Sequence, residues 1–194
     1  MSKKKNKIGV ILMTYGSPAS LVDVPNYLKN VYGGKDASSE VIKEFQRRYA
    51  LIGGSPLVQI TQDQAMALEK ELNSASKEQM FRVVAGMRFS RPFISESVSE
   101  IAEDVSHIVG IIMSPQYSPI IMSGYRKELT NAVERENKKL ELKIAEDWHL
   151  QPFFVQAFAQ RVQQSLEKFP QEVRNNVPVL FSAPDPTFSA INIF

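Results

Sequence analysis

A chain of 194 residues has room for one well-packed α/β domain and is too short for two of ordinary size. Its 43% apolar and 23% charged residues exclude a disordered or fibrous chain, and the lack of cysteine excludes disulfides, thiolate catalysis, iron–sulfur ligation and every cysteine-based zinc site. Much of the formal charge of +2 sits in Lys3, Lys4, Lys5 and Lys7, with no second basic cluster interleaved with aromatics, so no nucleic-acid partner is expected and a cytoplasmic setting fits best.

The apolar run Ile8–Met13 is too short to cross a bilayer and passes straight into Tyr15-Gly16 with no small-residue cleavage site; it reads as a strand. The next segment, Tyr15–Gly54, holds two helices and turn signals at Gly33-Gly34 and Gly53-Gly54 with no strand between, long enough to be a functional insertion. A helix over Thr61–Leu72 opens with Thr61 and Gln64 in capping-box spacing and turns Ala65, Leu68 and Leu72 inward. Further strands follow at Phe81–Ala85, Ile108–Met113, Leu140–Ala145 and Val177–Phe181. Between them, Ile94, Val98, Ile101 and Val105 mark one amphipathic helix and Phe154, Phe158, Val162 and Leu166 another, both expected to pack on the sheet. The runs Ile8–Met13 and Ile108–Met113 are apolar throughout, as strands covered on both faces must be, and the alternation predicts a doubly wound, mostly parallel α/β sheet with flanking helices.

In such sheets ligands bind beyond the carboxyl ends of the strands. The segments found there are Thr14-Tyr15-Gly16-Ser17-Pro18, Gly86-Met87-Arg88, Ser114-Pro115-Gln116-Tyr117-Ser118, Asp147-Trp148-His149 and Pro184-Asp185-Pro186. None carries a glycine-rich phosphate loop, which disfavours a nucleotide-binding domain, and no nucleophile elbow is present. Tyr15, Tyr117, Tyr125 and Trp148 make the rims aromatic instead, which suits a large, flat, apolar ligand such as a tetrapyrrole. Of the two histidines, His107 precedes its strand and falls on the opposite rim, while His149 lies on the ligand side but cannot make a metal site alone.

These same rims carry a resemblance. Gly9–Pro18 (GVILMTYGSP), Arg48–Leu57 (RYALIGGSPL), Gly86–Ile94 (GMRFSRPFI) and Ser114–Ser118 (SPQYS) with Gly124-Tyr125 resemble, in order and spacing, the ferrochelatases, and among them the branch that uses coproporphyrin. The resemblance implies a chelatase-like α/β fold of two similar domains with porphyrin held between them. It implies ferrous iron and coproporphyrin III or protoporphyrin IX as substrates, and no bound prosthetic group. Tyr15 aligns with the tyrosine that is axial ligand to the product iron, and Arg48, Tyr49, Ser55 and Tyr125 with positions that line the porphyrin or contact its propionates. A tyrosinate is a ligand suited to ferric iron, and a guanidinium pairs with a propionate through two parallel hydrogen bonds.

Two departures stand out. Where the coproporphyrin branch has a further arginine near the end of its first helix, this chain has Tyr32-Gly33, and where the family has the histidine that serves as iron-side base, it has Pro184. The resemblance divides the chain into a first domain (1–178), the start of a second (179–183) and an unrelated tail (184–194), without the second-domain carboxylate. Metal insertion needs a base for the pyrrole protons and a carboxylate to hold the metal and relay protons, so impaired catalysis is expected. The other reading is a non-catalytic module that binds porphyrin or a partner through the exposed cleft face; in either reading haem-pathway enzymes, a membrane surface or a second copy of the chain are the candidate partners.

Overall fold

The computed structural model describes residues 7–116, 118–136 and 139–181. Strands β1 (Lys7–Thr14), β2 (Met80–Met87), β3 (Val105–Ile112) and β4 (Glu141–Ala145) form one all-parallel sheet in the order β2-β1-β3-β4. β1 pairs on both edges and is buried from Gly9 to Thr14, the physical reason for its unbroken apolar sequence.

Three helices lie on the two faces. Helix α3 (Leu57–Ala75) covers Val10, Leu12, Val83 and Ala85 on one side with Ala65, Leu68 and Leu72. Helices α4 (Ile94–Ala102) and α5 (Pro119–Arg135) cover Ile11, Met13, Ile108 and Ile112 on the other with Val98, Ile101, Met122 and Leu129. The doubly wound α/β arrangement therefore follows from strands whose alternate residues are apolar on both faces. Between β1 and α3, helices α1 (Val24–Val31) and α2 (Ser39–Leu51) form the expected insertion, each closed by a glycine pair, Gly33-Gly34 and Gly53-Gly54, at positive φ.

The outer edge of β2 is closed by side chains. Phe81 N–H donates to Asn73 Oδ1 (2.9 Å) and Asn73 Nδ2 donates back to the Phe81 carbonyl (3.0 Å); Val83 N–H donates to Glu69 (2.7 Å) and Ser97 Oγ donates to the Ala85 carbonyl (2.7 Å). Helices α3 and α4 thus supply the partners that a further strand would otherwise provide.

Several expectations change. Val177–Phe181 forms no strand: it is irregular, with Leu180 91% and Phe181 82% exposed, because among the described residues no neighbouring strand offers it a ladder. The period ending at Val105 overshoots, since α4 stops at Ala102 and Val105 opens β3, which also takes His107 into the strand. Thr61 is not a cap. Its helix begins four residues earlier, and its hydroxyl, fully buried, donates to the Leu57 carbonyl (2.8 Å) within the helix. Finally, helix α6 (Pro152–Leu166) forms as its period predicts but does not lay that face on the sheet. Phe158 is 54% exposed, Phe154, Val162 and Leu166 are half-buried, and Phe158, Val162 and Leu166 with Val155, Ala159 and Phe181 line an open groove of about 550 Å³.

Candidate functional site

The chain leaves β1 toward β2 on one side and later returns to β3 on the other, so the strand order reverses between β1 and β3. The carboxyl ends of these two strands are the switch point at which open α/β sheets bind ligands. Tyr15 follows β1 there. Beside it, Arg88 and Phe89 prolong the β2 ladder, Arg88 N–H donating to the Thr14 carbonyl (2.9 Å) and Phe89 N–H to the Tyr15 carbonyl (3.0 Å). This register places the Phe89 and Tyr15 rings side by side, centroids 4.5 Å apart and tilted by 58°.

The insertion closes over this point. Tyr27 of α1 is buried, and its hydroxyl donates to the Gly16 carbonyl (3.3 Å) or to the Tyr49 hydroxyl, its single proton serving either. Tyr49, Tyr15 and Phe89 pack on the same small core of Val24, Tyr27 and Leu28. Tyr125, on the first half of α5, is 3% exposed. Arg88 lies between these groups, its guanidinium 4.7 Å from the Phe89 ring centroid and 5.6 Å from that of Tyr125, with Nε donating to Glu128 (3.1 Å).

Burial governs the ionisation of this cluster. It pushes the Tyr15 phenol above its ordinary value, with Arg88 pulling it back and Tyr32 and Tyr49 adding to the rise. Burial raises Tyr125 and Tyr27 much further, and Tyr49 also rises, partly offset by its hydrogen bond to Tyr27. The phenols are neutral over the physiological range, and the site presents an aromatic wall beside the Arg88 guanidinium. A cleft of about 380 Å³, large enough for a small-molecule ligand, adjoins it between Pro18, Ala19, Leu21 and the end of α2 at Tyr49, Ala50 and Gly53-Gly54.

The structure brings Tyr15, Tyr49 and Tyr125 together. Arg48 stays on the outer side of α2, its Nε donating to Glu44 (2.7 Å), which Arg47 shares, and its side chain 51% exposed. Ser55 is half-buried in the turn before α3, where its Oγ accepts from Leu57 N–H (3.3 Å). Tyr32 caps the end of α1. Trp148 braces the corner between β4 and α6, donating from Nε1 to the Ile112 carbonyl (2.8 Å) and meeting Phe154 edge-on. His149 pairs with Asp147 (2.7 Å) and His107, on the far rim, with Glu141 (3.1 Å). Tyr117, Pro184 and the tail 184–194 lie outside the described residues. Among the described residues no three His, Asp or Glu side chains converge as a metal site.

Sequence reasoning placed Arg88 on the rim without a role, and missed Phe89, Tyr27 and Glu128. Arg88 carried one signal, a basic residue directly after a strand on the ligand side. Glu128 carried none, because its partner lies 40 residues away.

The family model described as ferrochelatase matches residues 7–184. A ferrochelatase of Herpetosiphon aurantiacus is 35% identical over 179 residues, covering 91% of this chain and 58% of that protein. Coproporphyrin III ferrochelatases of Oceanobacillus iheyensis and Bacillus subtilis are 31% and 32% identical over 182 and 185 residues, covering 93% and 94% of this chain. The chain spans 58% and 59% of the length of those two relatives.

Proposed function

Because the chain belongs to the ferrochelatase family, we propose that it supplies one wall of a porphyrin site at which ferrous iron is inserted into a porphyrin during haem synthesis. The observation that carries this reading is the aromatic cluster at the switch point of the sheet, in which partly buried Tyr15, Tyr49 and Phe89 pack on buried Tyr27 and buried Tyr125 approaches through Arg88. Flat apolar surface with neutral phenols favours a macrocycle over a phosphate-bearing ligand. Coproporphyrin III is the favoured porphyrin, since relatives covering nine tenths of the chain bear that name, and protoporphyrin IX is the alternative.

In this reading Tyr15 approaches one face of the ring and ligates the iron of the product, which the nearby charge of Arg88 assists by easing loss of the phenolic proton. Tyr49, Ser55 and Tyr125 line the macrocycle. Arg48, already aligned by Glu44, offers its half-exposed guanidinium to a propionate. The pyrrole N–H protons must leave to a base near neutral pH, and at the position where the family resemblance implies histidine the chain has Pro184. Binding therefore outlasts catalysis: the porphyrin is held and metal insertion is slow. The setting is cytoplasmic, and among the described residues no helix is long and apolar enough to cross a membrane. The open face of α6 makes self-association the favoured protein contact.

An anaerobic mixture of the chain, coproporphyrin III and ferrous iron, followed through the porphyrin absorption bands against a protein-free control, tests the reading. A band shift on mixing without conversion beyond the control is expected. Conversion above the control would overturn the loss of catalysis, and no shift at all would overturn the binding.

A further inference from the structure

We infer that Glu128 and Gly124, one helical turn apart on α5, form a seat that fixes the Arg88 guanidinium beside the aromatic cleft, and that Glu128 is a positioning residue acting on the ligand through Arg88. The functional half of this inference rests on the porphyrin reading above.

Four restraints converge on one side chain. The backbone of Arg88 is tied to Thr14 at the end of β1, so the side chain starts from a fixed point. Its Nε donates to Glu128 Oε1 at 3.1 Å, across 40 residues of sequence. Its fork lies over Gly124, where a Cβ would run into Cζ and both terminal nitrogens; glycine is the residue that leaves α5 open at that point. Phe89 and Tyr125 present their rings at 4.7 and 5.6 Å. Arg88 is also the most enclosed arginine on this side of the sheet, its side chain 23% exposed against 51% for Arg48 and 80% for Arg91.

An arginine held in this way gives up its rotamer freedom when the chain folds, not when a ligand arrives. The seat also spends one N–H of the guanidinium on a carboxylate, which sets the plane of the remaining donors. Neutralising Glu128 removes the charge-assisted bond while leaving the shape of α5 unchanged, so any loss of ligand affinity must pass through Arg88.

The test uses the full chain and two readouts. The first is the Nε–Hε resonance of Arg88 in a nitrogen–proton correlation spectrum, assigned by its disappearance in Arg88→Lys. The parent should show a resolved, exchange-protected signal that collapses into the averaged arginine envelope in Glu128→Gln and in Gly124→Ala, while the amides of β1 and β3 stay in place. The second is coproporphyrin III affinity by absorbance titration. Glu128→Gln should weaken it about fivefold, the scale of a partly exposed ion pair, and should have no effect once Arg88→Met is present. Equal weakening in both backgrounds, or an Arg88 signal indifferent to Glu128→Gln, overturns the inference. A held Arg88 signal in a parent that binds no coproporphyrin would retain the seat and refute the porphyrin reading. Coproporphyrin binding with an averaged signal would do the reverse.

Discussion

Gly110→Ala is the substitution that most directly probes why Tyr125 is buried. Gly110 lies on β3 under α5, and a Cβ built there runs into Leu129 Cδ2 and sits 2.9 Å from Met13 Cε. Leu129 and Met13 are both fully buried, so neither has open space to move into. Overpacking of a filled core costs about 1–3 kcal/mol, which for a chain of this size lowers the melting temperature by roughly 3–10 °C. The alternative outlet is an outward shift of α5, which would loosen Tyr125 at the site. Thermal unfolding followed by circular dichroism measures the cost. Leu129→Ala alone should cost about 2–5 kcal/mol through the cavity it opens, but the methyl group of Gly110→Ala projects toward that cavity. The double variant should therefore be at least about 1 kcal/mol more stable than the sum of the two single losses. Additivity within about 0.5 kcal/mol, or an unchanged melting temperature for Gly110→Ala, would refute the close packing of β3 against α5.

Other consequences are equally open to measurement. Asn73→Ala removes both side-chain bonds to Phe81 on the outer edge of β2; it should cost about 1–2 kcal/mol in chemical denaturation and raise the aggregation rate, and a neutral result would mean the edge is not closed by that amide. Tyr27 and Tyr125 are held above the ordinary phenol value of 10 by burial. A raised folded pKa means that the unfolded state loses its protons first, so stability is intact below pH 10 and falls as pH rises above it. Their tyrosinate absorbance should appear only together with alkaline unfolding, and titration of these phenols in the folded chain would contradict their burial. Phe158→Glu on the open face of α6 should leave the unfolding free energy within about 0.5 kcal/mol and reduce association in sedimentation, whereas a large destabilisation would show that the face is packed after all.

The parts of the fold legible in the sequence are those fixed by burial on both sides. Ile8–Met13 is covered on both faces as its unbroken apolar run implies, whereas in Ile108–Met113 one face is buried and the other, with Val109 and Ile111, only partly covered; β1 and β3 occupy the centre of the sheet. Period alone states that a face exists and leaves open what covers it. Phe154, Phe158, Val162 and Leu166 are on one side of α6, yet that side meets solvent. Val177–Phe181 has strand composition, but a strand needs a neighbour and none lies beside it among the described residues. Thr61 and Gln64 have the spacing of a capping box, and the same hydroxyl is equally able to bond back within a helix that began earlier, as it does.

The site was legible where it lies on strand exits. Tyr15 and Tyr125 are read as aromatics at the rim of the sheet, and Tyr49 from the family resemblance alone. The guanidinium at the centre of the cluster was not, because its meaning depends on Glu128 and Gly124, which approach Arg88 only through the packing of α5 on β3. Arg48 shows the converse. The family resemblance implies a propionate partner there, and in the structure Glu44 already occupies its Nε.

Equilibrium titration of the chain with coproporphyrin III, followed through the porphyrin absorption bands, tests the central claim most directly. A saturable shift that is lost in Tyr15→Ala and unchanged in Phe158→Glu is the predicted result, since it places the porphyrin on the aromatic wall beyond β1. A chain that shows no saturable shift, or one whose shift survives Tyr15→Ala and disappears with Phe158→Glu, would contradict it.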